Sequence, residues 1–261
     1  MNGSVKEHPG DIGLSIVMPA YNASAFIHGT TREVSKALQD IGVPWEVIVV
    51  DDGSSDGTAE AVFSHTQVRA IRLPLNMGKG AAIKAGMLSA RGHVRIFTDA
   101  DLPYGTVPFK HAFEYIECRG FHAVIGDRVL PGSQYGHSSS LRTMISRIAS
   151  LIFRTLVTGG MYDTQCGFKA FRGDVATALF ELVTIKRFAV DVEIIYLLLK
   201  YHLDIKRIQV RQQNESPSTV HVVRDTIRAM SDILRIWWTW MRKRYDSPAL
   251  ARIFLEDSPQ Y

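Results

Sequence analysis

The feature that most constrains the fold is an alternation of short apolar runs with helical segments in the first half of the chain. Apolar runs predict buried strands at Leu14–Met18, Glu46–Val50, Val68–Leu73, Val94–Thr98 and His122–Gly126. Helices are predicted between them at Ser24–Asp40, Thr58–His65, Gly80–Ala90 and Val107–Arg119. Strands that are apolar throughout and alternate with helices indicate an α/β fold, with a mostly parallel sheet covered on both faces.

Acidic residues directly follow the second and fourth predicted strands. They are Asp51 and Asp52 after one strand, and Asp99 and Asp101 after the other. Ligands of open α/β sheets bind beyond the carboxyl ends of the strands, so both pairs are expected near one ligand. Asp51 and Asp52 could accept hydrogen bonds from a nucleobase or ribose. Asp99 and Asp101 could share a divalent cation completed by phosphate oxygens, although a solvated turn is the alternative.

The segment Asn76–Gly80 opens the third predicted helix. Its glycines permit close backbone approach, and a helix N-terminus with Lys79 favours an anionic phosphate. The pattern GxxxxGK[ST] is absent, so this is not a P-loop. Asp56 or Thr58 is expected to cap the predicted helix at Thr58–His65.

Charge is distributed unevenly along the 261 residues. Residues 1–127 carry 11 Lys and Arg against 14 Asp and Glu, whereas residues 128–261 carry 19 against 12. The second half is therefore the candidate for contact with a lipid phosphate, lipid headgroups or nucleic acid.

Cys118 and Cys166 lack CxxC spacing, which argues against a disulfide framework or zinc site. With no signal peptide and no run of about 18 apolar residues, peripheral membrane contact is the expectation.

Two amphipathic helices are predicted in the second half, at Leu141–Val157 and Arg224–Arg244. In the latter, arginines recur at spacings that place them on one stripe of a helix, beside an apolar face that includes Trp237. A basic helix with tryptophan is typical of a membrane interface, and the alternative is a helix packed on its own domain. A further helix at Asp191–Lys200 and a strand at Lys206–Val210 complete the pattern.

Together the segments Ser15–Asn22, Asp51–Thr58, Asn76–Gly80 and Asp99–Asp101 resemble family 2 glycosyltransferases of the GT-A (Rossmann-like) fold. The segments Asp163–Lys169 (DTQCGFK) and Phe188–Glu193 resemble the branch containing dolichyl-phosphate β-glucosyltransferases and bacterial polyprenyl-phosphate glycosyltransferases. The resemblance runs from Leu14 to Trp238, and DTQCGFK is its most specific part. It implies inverting transfer of a sugar, glucose from UDP-glucose, to a polyprenyl phosphate at the cytoplasmic face of a membrane. Mg²⁺ or Mn²⁺ would be the cofactor.

The resemblance also implies roles for individual residues. The nucleotide sugar would be held by Pro19, Tyr21, Asp51, Asp52, Gly78, Lys79, Asp99 and Ala100, and the metal by Asp99 and Asp101. The lipid phosphate would be held by Arg128, Arg142, His221 and Arg224. The expected catalytic residues are Asp163, Asp101 and Arg128, with Asp163 beside the reacting centre; a buried acid bonded to backbone amides is the alternative for Asp163.

Two positions depart from the family pattern. Ala23 stands where the family usually has Glu, and Ser218-Thr219 stands where it has Ser-Lys, so one donor contact and one acceptor contact are in question. The expected division is an N-terminal tail at 1–13, a GT-A domain at 14–220, a basic amphipathic helix at 221–245 and a C-terminal tail at 246–261.

A lipid phosphate is a suitable acceptor for the basic second half. With a second pKa of about 6 it is largely dianionic at neutral pH, so it needs guanidinium groups more than a strong base. The alternatives are a GDP-mannose-dependent polyprenyl-phosphate mannosyltransferase and a family 2 transferase that extends a saccharide or glycolipid with a carboxylate base. A non-catalytic basic module for membranes or nucleic acid would have no use for Asp99 and Asp101. Expected partners are the donor, the lipid acceptor, the membrane surface and a membrane-anchored protein, but not nucleic acid.

Overall fold

The computed structural model describes residues 12–128, 130, 166–213, 231–232 and 235–257. These residues form a sheet of seven strands in the order β3-β2-β1-β4-β6-β5-β7. The strands are β1 (Leu14–Ala20), β2 (Trp45–Asp51), β3 (Val68–Arg72), β4 (Val94–Phe97), β5 (Ala123–Asp127), β6 (Lys169–Arg172) and β7 (Ile205–Gln209). Neighbouring strands are parallel except for β6, which runs antiparallel to both β4 and β5. The predicted α/β class with a mostly parallel sheet is confirmed.

The helices pack on both faces of this sheet. Their bounds are α1 (Ile27–Gln39), α2 (Lys79–Ser89), α3 (Val107–Glu117), α4 (Gly173–Leu182), α5 (Val190–Lys200) and a C-terminal helix at Pro248–Asp257. Residues 235–241 are also helical. Within the described ranges, no helix is both long enough and apolar enough to cross a bilayer.

Two apolar cores result, one on each face of the sheet. Along β1, Ile16 and Met18 join the core covered by α1 and α3, whereas Val17 joins the core covered by α2, α4 and α5. Because successive strand residues point to opposite faces, a strand covered on both sides must be apolar throughout. The continuous apolar runs of the sequence arise from this requirement. Each fully buried aliphatic side chain contributes about 1.5–3 kcal/mol.

The structure corrects two predicted elements. Thr58–His65, expected to be a helix, forms turns, and Asp56 instead binds the Ser24 and Thr58 amides and the Thr58 hydroxyl. These bonds, chiefly the one from the Thr58 hydroxyl, lower the pKa of Asp56 to about 2. The expected C-terminal tail at 246–261 contains the C-terminal helix, which packs against α4 and buries Leu250.

The two predicted amphipathic helices are only partly covered by the structure. Leu141–Val157 lies outside the described residues, as does most of Arg224–Arg244. The described part of the second segment is helical at 231–232 and 235–241. There Ile236 is buried, while Trp237, Trp238 and Trp240 are about half exposed. A role at a membrane interface stays a prediction.

Candidate functional site

The carboxyl ends of β1, β2 and β4 lie side by side and define what we call the ligand edge. In the parallel registers, Ala20 of β1 is opposite Asp51 of β2, and Val17 is opposite Phe97 of β4. The two acidic segments that follow β2 and β4 therefore emerge at the same edge. Helix α2 begins at Lys79 close to this point, because Asp52 binds the two backbone amides that precede it. The structure thus brings together the three segments that the sequence selected.

Asp52 shapes the loop that leads into α2. Its Oδ1 accepts the N–H of Met77 at 2.8 Å and its Oδ2 accepts the N–H of Gly78 at 2.8 Å. Burial raises the pKa of Asp52, with a smaller contribution from neighbouring Asp51, while the two amides act in the opposite direction. Both carboxylate oxygens are thus committed to the backbone. The predicted contact of Asp52 with a nucleotide stays untested, and what it does in the fold is hold the Gly78 turn.

Asp51 differs from its neighbour because one of its oxygens is left available. The side chain is fully buried, and Oδ1 accepts the N–H of Ser54 at 2.9 Å. Oδ2 lies 3.6 Å from Nε of Arg72, which is beyond hydrogen-bond range. Across the described part of the chain, it is the single buried side-chain nitrogen or oxygen without a hydrogen-bond partner. A buried acceptor without a donor is costly, so this oxygen is suited to an N–H or O–H from a ligand.

Lys79 and Asp99 form the charged centre of the ligand edge. Nζ of Lys79 lies 2.5 Å from Oδ1 of Asp99, and both side chains are partly buried. Burial acts to lower the pKa of Lys79, but the carboxylates of Asp99, Asp191 and Asp101 outweigh it and hold that pKa above its usual value. The ammonium group therefore stays charged at the N-terminus of α2, where an anion is also favoured by the helix dipole.

Gly78 sets the position of this lysine. Its φ of 101° is in the region that favours glycine. A Cβ at Gly78 would also collide with the carbonyl oxygen of Lys186, in the loop before α5. The same carbonyl accepts the N–H of Ala81 at 3.1 Å. The predicted role of Gly78 therefore rests on backbone geometry, because a larger residue would push α2 away from the ligand edge.

The segment Cys166–Phe168, the described end of the DTQCGFK motif, packs directly against Asp99. A Cβ at Gly167 would collide with Oδ2 of Asp99, so any larger residue there would displace that carboxylate. Buried Tyr104 interacts with Cys166, Arg128 and Asp99. Burial, then Cys166, raises the pKa of the Tyr104 phenol well above its usual range. The motif therefore forms a wall of the same site.

Arg128 reaches this wall from the end of β5. The Arg128 guanidinium acts to lower the pKa of Tyr104, which places its charge near the phenol. The preceding residue, Asp127, is buried and pairs with Arg207, whose Nε donates a hydrogen bond at 2.6 Å.

The remaining predicted residues fall into two groups. Pro19 is partly buried near the end of β1, Tyr21 is 52% exposed beyond it, and Ala100 is buried between the two acids. Ala23 is buried, and its N–H donates to Thr58 Oγ1 at 2.8 Å. Asp163, Arg142, His221, Arg224 and Thr219 lie outside the described residues, so their roles stay predictions.

Sequence reasoning missed three residues that line or support the site. They are Tyr104, Lys169 and Asp191; Lys169 and Asp191 form a buried ion pair at 2.5 Å. The motifs containing Lys169 and Asp191 were visible in the sequence, but a lysine in a strand gives no sign that it is buried. In the described ranges, no cluster of three or more His, Cys, Asp or Glu could bind a metal. The metal-binding role of Asp99 and Asp101 stays a prediction.

Residues 15–180 match glycosyl transferase family 2. A dolichyl-phosphate beta-glucosyltransferase of Dictyostelium discoideum is 31% identical over 250 residues, which cover 88% of this chain and 76% of that protein. A protein of the same name from Drosophila melanogaster is 31% identical over 254 residues, covering 90% and 77%.

Solved structures with the same fold are more distant in sequence. Mannosyl-3-phosphoglycerate synthase from Rubrobacter xylanophilus has a TM-score of 0.64 at 19% identity, covering 89% of this chain and 76% of that one. Glucosyl-3-phosphoglycerate synthase from Mycobacterium tuberculosis, solved with Mn²⁺, UDP-glucose and phosphoglyceric acid, has a TM-score of 0.65 at 17% identity, covering 87% and 80%. These likenesses confirm the predicted GT-A fold. With the family match spanning more than half of its length, the chain belongs to glycosyl transferase family 2 and is a glycosyltransferase.

Proposed function

We propose that this enzyme transfers glucose from UDP-glucose to the phosphate of a dolichyl-type polyprenyl phosphate, with inversion to a β-linked lipid-phosphate sugar. The observation that carries the donor half of the proposal is the convergence of Asp51, Lys79 and Asp99 at the ligand edge. The choice of glucose and of a lipid phosphate is supported by the relatives, which are named dolichyl-phosphate beta-glucosyltransferases.

The nucleoside would bind beside Asp51. The free oxygen Oδ2 of this buried carboxylate can accept an N–H or O–H from a base or ribose. Exposed Tyr21 lies just beyond β1 and can cover the base, with Pro19 fixing the strand end. Asp52 and Gly78 would act through the loop that they hold. Lys79 would then face the diphosphate at the start of α2.

Asp99 and Asp101 fit a hard divalent cation, Mg²⁺ or Mn²⁺. Both offer carboxylate oxygens, and two carboxylates suffice where phosphate oxygens complete the shell. The nearness of Lys79 to Asp99 at 2.5 Å agrees with a position that favours positive charge. When bound, the cation would neutralise charge on the departing diphosphate. Lys79 would supply a second positive charge from the protein itself.

The acceptor would be oriented by arginines. Arg128 stands near Tyr104 and the Cys166–Phe168 wall, next to Asp99. Its guanidinium can hold a phosphate in line with the anomeric carbon, which supplies positioning more than proton transfer. Arg142, His221 and Arg224 are proposed as further phosphate ligands. Asp163 is proposed to orient an arginine or to steady positive charge at the anomeric carbon.

The C-terminal aromatic segment, defined as residues 235–241, would bring the enzyme to the membrane. Trp237, Trp238, Trp240 and Met241 are each about half exposed, and the Arg242 guanidinium stacks 3.6 Å from the Trp238 ring centroid. Tryptophans beside arginines favour the boundary between headgroups and acyl chains. We propose peripheral binding at the cytoplasmic face, where the GT-A domain (14–220) would receive the lipid phosphate. A membrane-anchored partner protein could strengthen this contact.

The decisive experiment is transfer from labelled nucleotide sugars into a lipid-extractable product. UDP-glucose, GDP-mannose, UDP-GlcNAc and UDP-GalNAc would each be supplied with polyprenyl phosphate in bilayers and with Mg²⁺ or Mn²⁺. The expected result is metal-dependent label from UDP-glucose, with β configuration in the product. Label from GDP-mannose alone would replace glucose by mannose. Transfer to a saccharide but not to the lipid phosphate would refute the proposed acceptor.

A further inference from the structure

Lys169 and Asp191 form an ion pair that is enclosed by protein close to Asp99. Nζ of Lys169 lies 2.5 Å from Oδ1 of Asp191, and neither side chain has more than trace exposure. The same ammonium donates to the Cys166 carbonyl at 2.7 Å and lies 5.4 Å from the ring centroid of Phe97. Groups buried to this extent are not placed to touch a substrate. Any contribution to the reaction must therefore pass through the atoms that they hold.

The pair holds the wall of the site on two sides. Lys169 is paired with Phe97 in the β4–β6 register, two residues before Asp99. Its ammonium fixes the Cys166 carbonyl, and the next residue, Gly167, packs so closely on Asp99 that a Cβ would collide with Oδ2. One side chain thus ties the end of β4 to the turn that confines the carboxylate.

Asp191 attaches this network to α5. It stands in the first turn of that helix, and its carboxylate neutralises the buried Lys169 ammonium at 2.5 Å.

Fold stability alone is a poor explanation for this arrangement. Replacing a buried ion pair by apolar residues of similar size is often neutral or stabilising, because desolvation offsets the attraction. By contrast, when a group that holds a metal-binding side chain in place is removed, the affinity for the metal falls. We propose that Lys169 and Asp191 are positioning residues that fix Asp99 for the cation and the donor diphosphate. This inference rests on the proposed function insofar as Asp99 is taken to bind the cation that accompanies the donor diphosphate.

The test replaces both charges at once, Lys169→Met with Asp191→Leu, so that no unpaired charge remains. Calorimetry would measure UDP binding with and without Mn²⁺, beside the thermal unfolding midpoint and the transfer rate. The expected result is an unchanged or raised midpoint and unchanged metal-free UDP binding. The strengthening of UDP binding by Mn²⁺ and the transfer rate should each fall about 10- to 100-fold. Wild-type dependence on Mn²⁺ in the folded double variant would overturn the proposal.

A control removes a more exposed ion pair that lies away from the ligand edge. Lys200 contacts Asp246 at 2.7 Å, and Lys200→Met with Asp246→Leu should leave Mn²⁺-dependent UDP binding unchanged. Equal losses in both double variants would overturn the inference, because the effect would then be general destabilisation.

A second variant covers the case in which the double variant does not fold. Asp191→Asn keeps the side-chain size and an acceptor oxygen for Lys169 but removes the charge. Mn²⁺-dependent UDP affinity should fall about tenfold in the folded protein, and wild-type affinity would overturn the inference.

The binding measurements are independent of the acceptor. If wild-type enzyme binds Mn²⁺ and UDP together but gives no glucosyl lipid, the proposed function fails while the positioning role is still decided. Absence of any Mn²⁺ effect on wild-type UDP binding would overturn the positioning role itself.

Discussion

The hydroxyl of Tyr245 donates a 2.5 Å hydrogen bond to Oε1 of Glu193, and both side chains are fully buried. Glu193 also accepts the N–H of Ile185 at 2.8 Å, and the following residue, Lys186, accepts the N–H of Ala81 in the first turn of α2. Hydrogen bonds, linked by the Ile185–Lys186 peptide bond, therefore join the C-terminal part of the chain to the helix that begins at the ligand edge.

Removing this hydroxyl should weaken the fold. Tyr245→Phe leaves a buried carboxylate with one bond fewer, and we expect the free energy of unfolding in urea to fall by about 1.5–3 kcal/mol. Tyr21→Phe serves as the control, because Tyr21 is half exposed and should not affect stability. Equal unfolding midpoints for wild type and Tyr245→Phe would show that the short bond contributes little.

A substitution at Gly167 tests whether the transfer rate depends on the position of the Asp99 carboxylate. Gly167→Ala would force the new Cβ into Oδ2 of Asp99, so the transfer rate should fall by about 100-fold. Gly29→Ala on α1 is the matched control, since nothing lies within 4 Å of its Cβ position. That control should keep full activity and gain about 0.5–1 kcal/mol of stability. Full transfer by Gly167→Ala would contradict the packing on which the site depends.

Asp51 is expected to contribute to the affinity for the nucleoside. Asp51→Asn keeps the volume but turns one acceptor into a donor, and UDP affinity measured by calorimetry should fall about 10- to 100-fold. The control, Asp40→Asn, changes an exposed carboxylate after α1 and should bind UDP normally. If both variants bind UDP as wild type does, the free oxygen of Asp51 is not a nucleotide contact.

The C-terminal helix should be sensitive to acid through Asp257. Burial acts to raise the pKa of this carboxyl, but hydrogen bonds from Arg172 and His122 outweigh it and hold the pKa below its usual value. Nδ1 of His122 accepts the Asp204 N–H at 2.9 Å, so Nε2 carries the hydrogen facing Asp257. A lowered folded-state pKa stabilises the fold above the unfolded pKa of about 3.9, and this contribution is lost as the pH falls further.

Asp257→Asn should therefore lower the thermal midpoint at pH 7, and its difference from wild type should shrink below about pH 4. Thermal unfolding at a series of pH values checks this expectation. The exposed Asp40→Asn variant should follow wild type throughout. A difference that is the same at every pH would mean that Asp257 acts through packing, not through its charge.

Exposed tryptophans at residues 235–241 should determine membrane binding. Trp237→Ser with Trp238→Ser should reduce sedimentation with anionic liposomes, because each indole supplies apolar area to the interface. Transfer to a short, water-soluble acceptor should be unchanged, whereas transfer to lipid in bilayers should fall. Unchanged liposome binding would show that this segment serves the fold or another partner.

Most strands could be predicted from the sequence because the apolar runs reflect burial on both faces. Strand β6 could not, since a run beginning with Lys169 gives no apolar signal; its charge is neutralised by Asp191, which is distant in the chain. The error at Thr58–His65 has a similar origin. Asp56 there binds the Ser24 amide across the chain, where a helix cap had been expected.

The site was predictable to the extent that its residues follow strands. Asp51 and Asp99 were placed correctly at the ligand edge by the rule for parallel sheets. The sequence could not show that Asp52 binds the backbone while Asp51 keeps an oxygen without a hydrogen bond. That difference depends on which carboxylate meets the Met77 and Gly78 amides. The contact of Gly167 with Asp99 likewise depends on the reversed direction of β6.

That reversal has a consequence for how such enzymes diversify. Because β6 is antiparallel to β5, the chain leaves the sheet after Asp127 and rejoins it near Phe168 on the same side, where the Gly126 N–H meets the Phe168 carbonyl at 3.0 Å. The intervening stretch can be lengthened, shortened or exchanged without altering the register of any strand pair. Variation in length between β5 and β6 can thus accumulate while β1, β2 and β4, and with them the positions of Asp51 and Asp99, keep their registers.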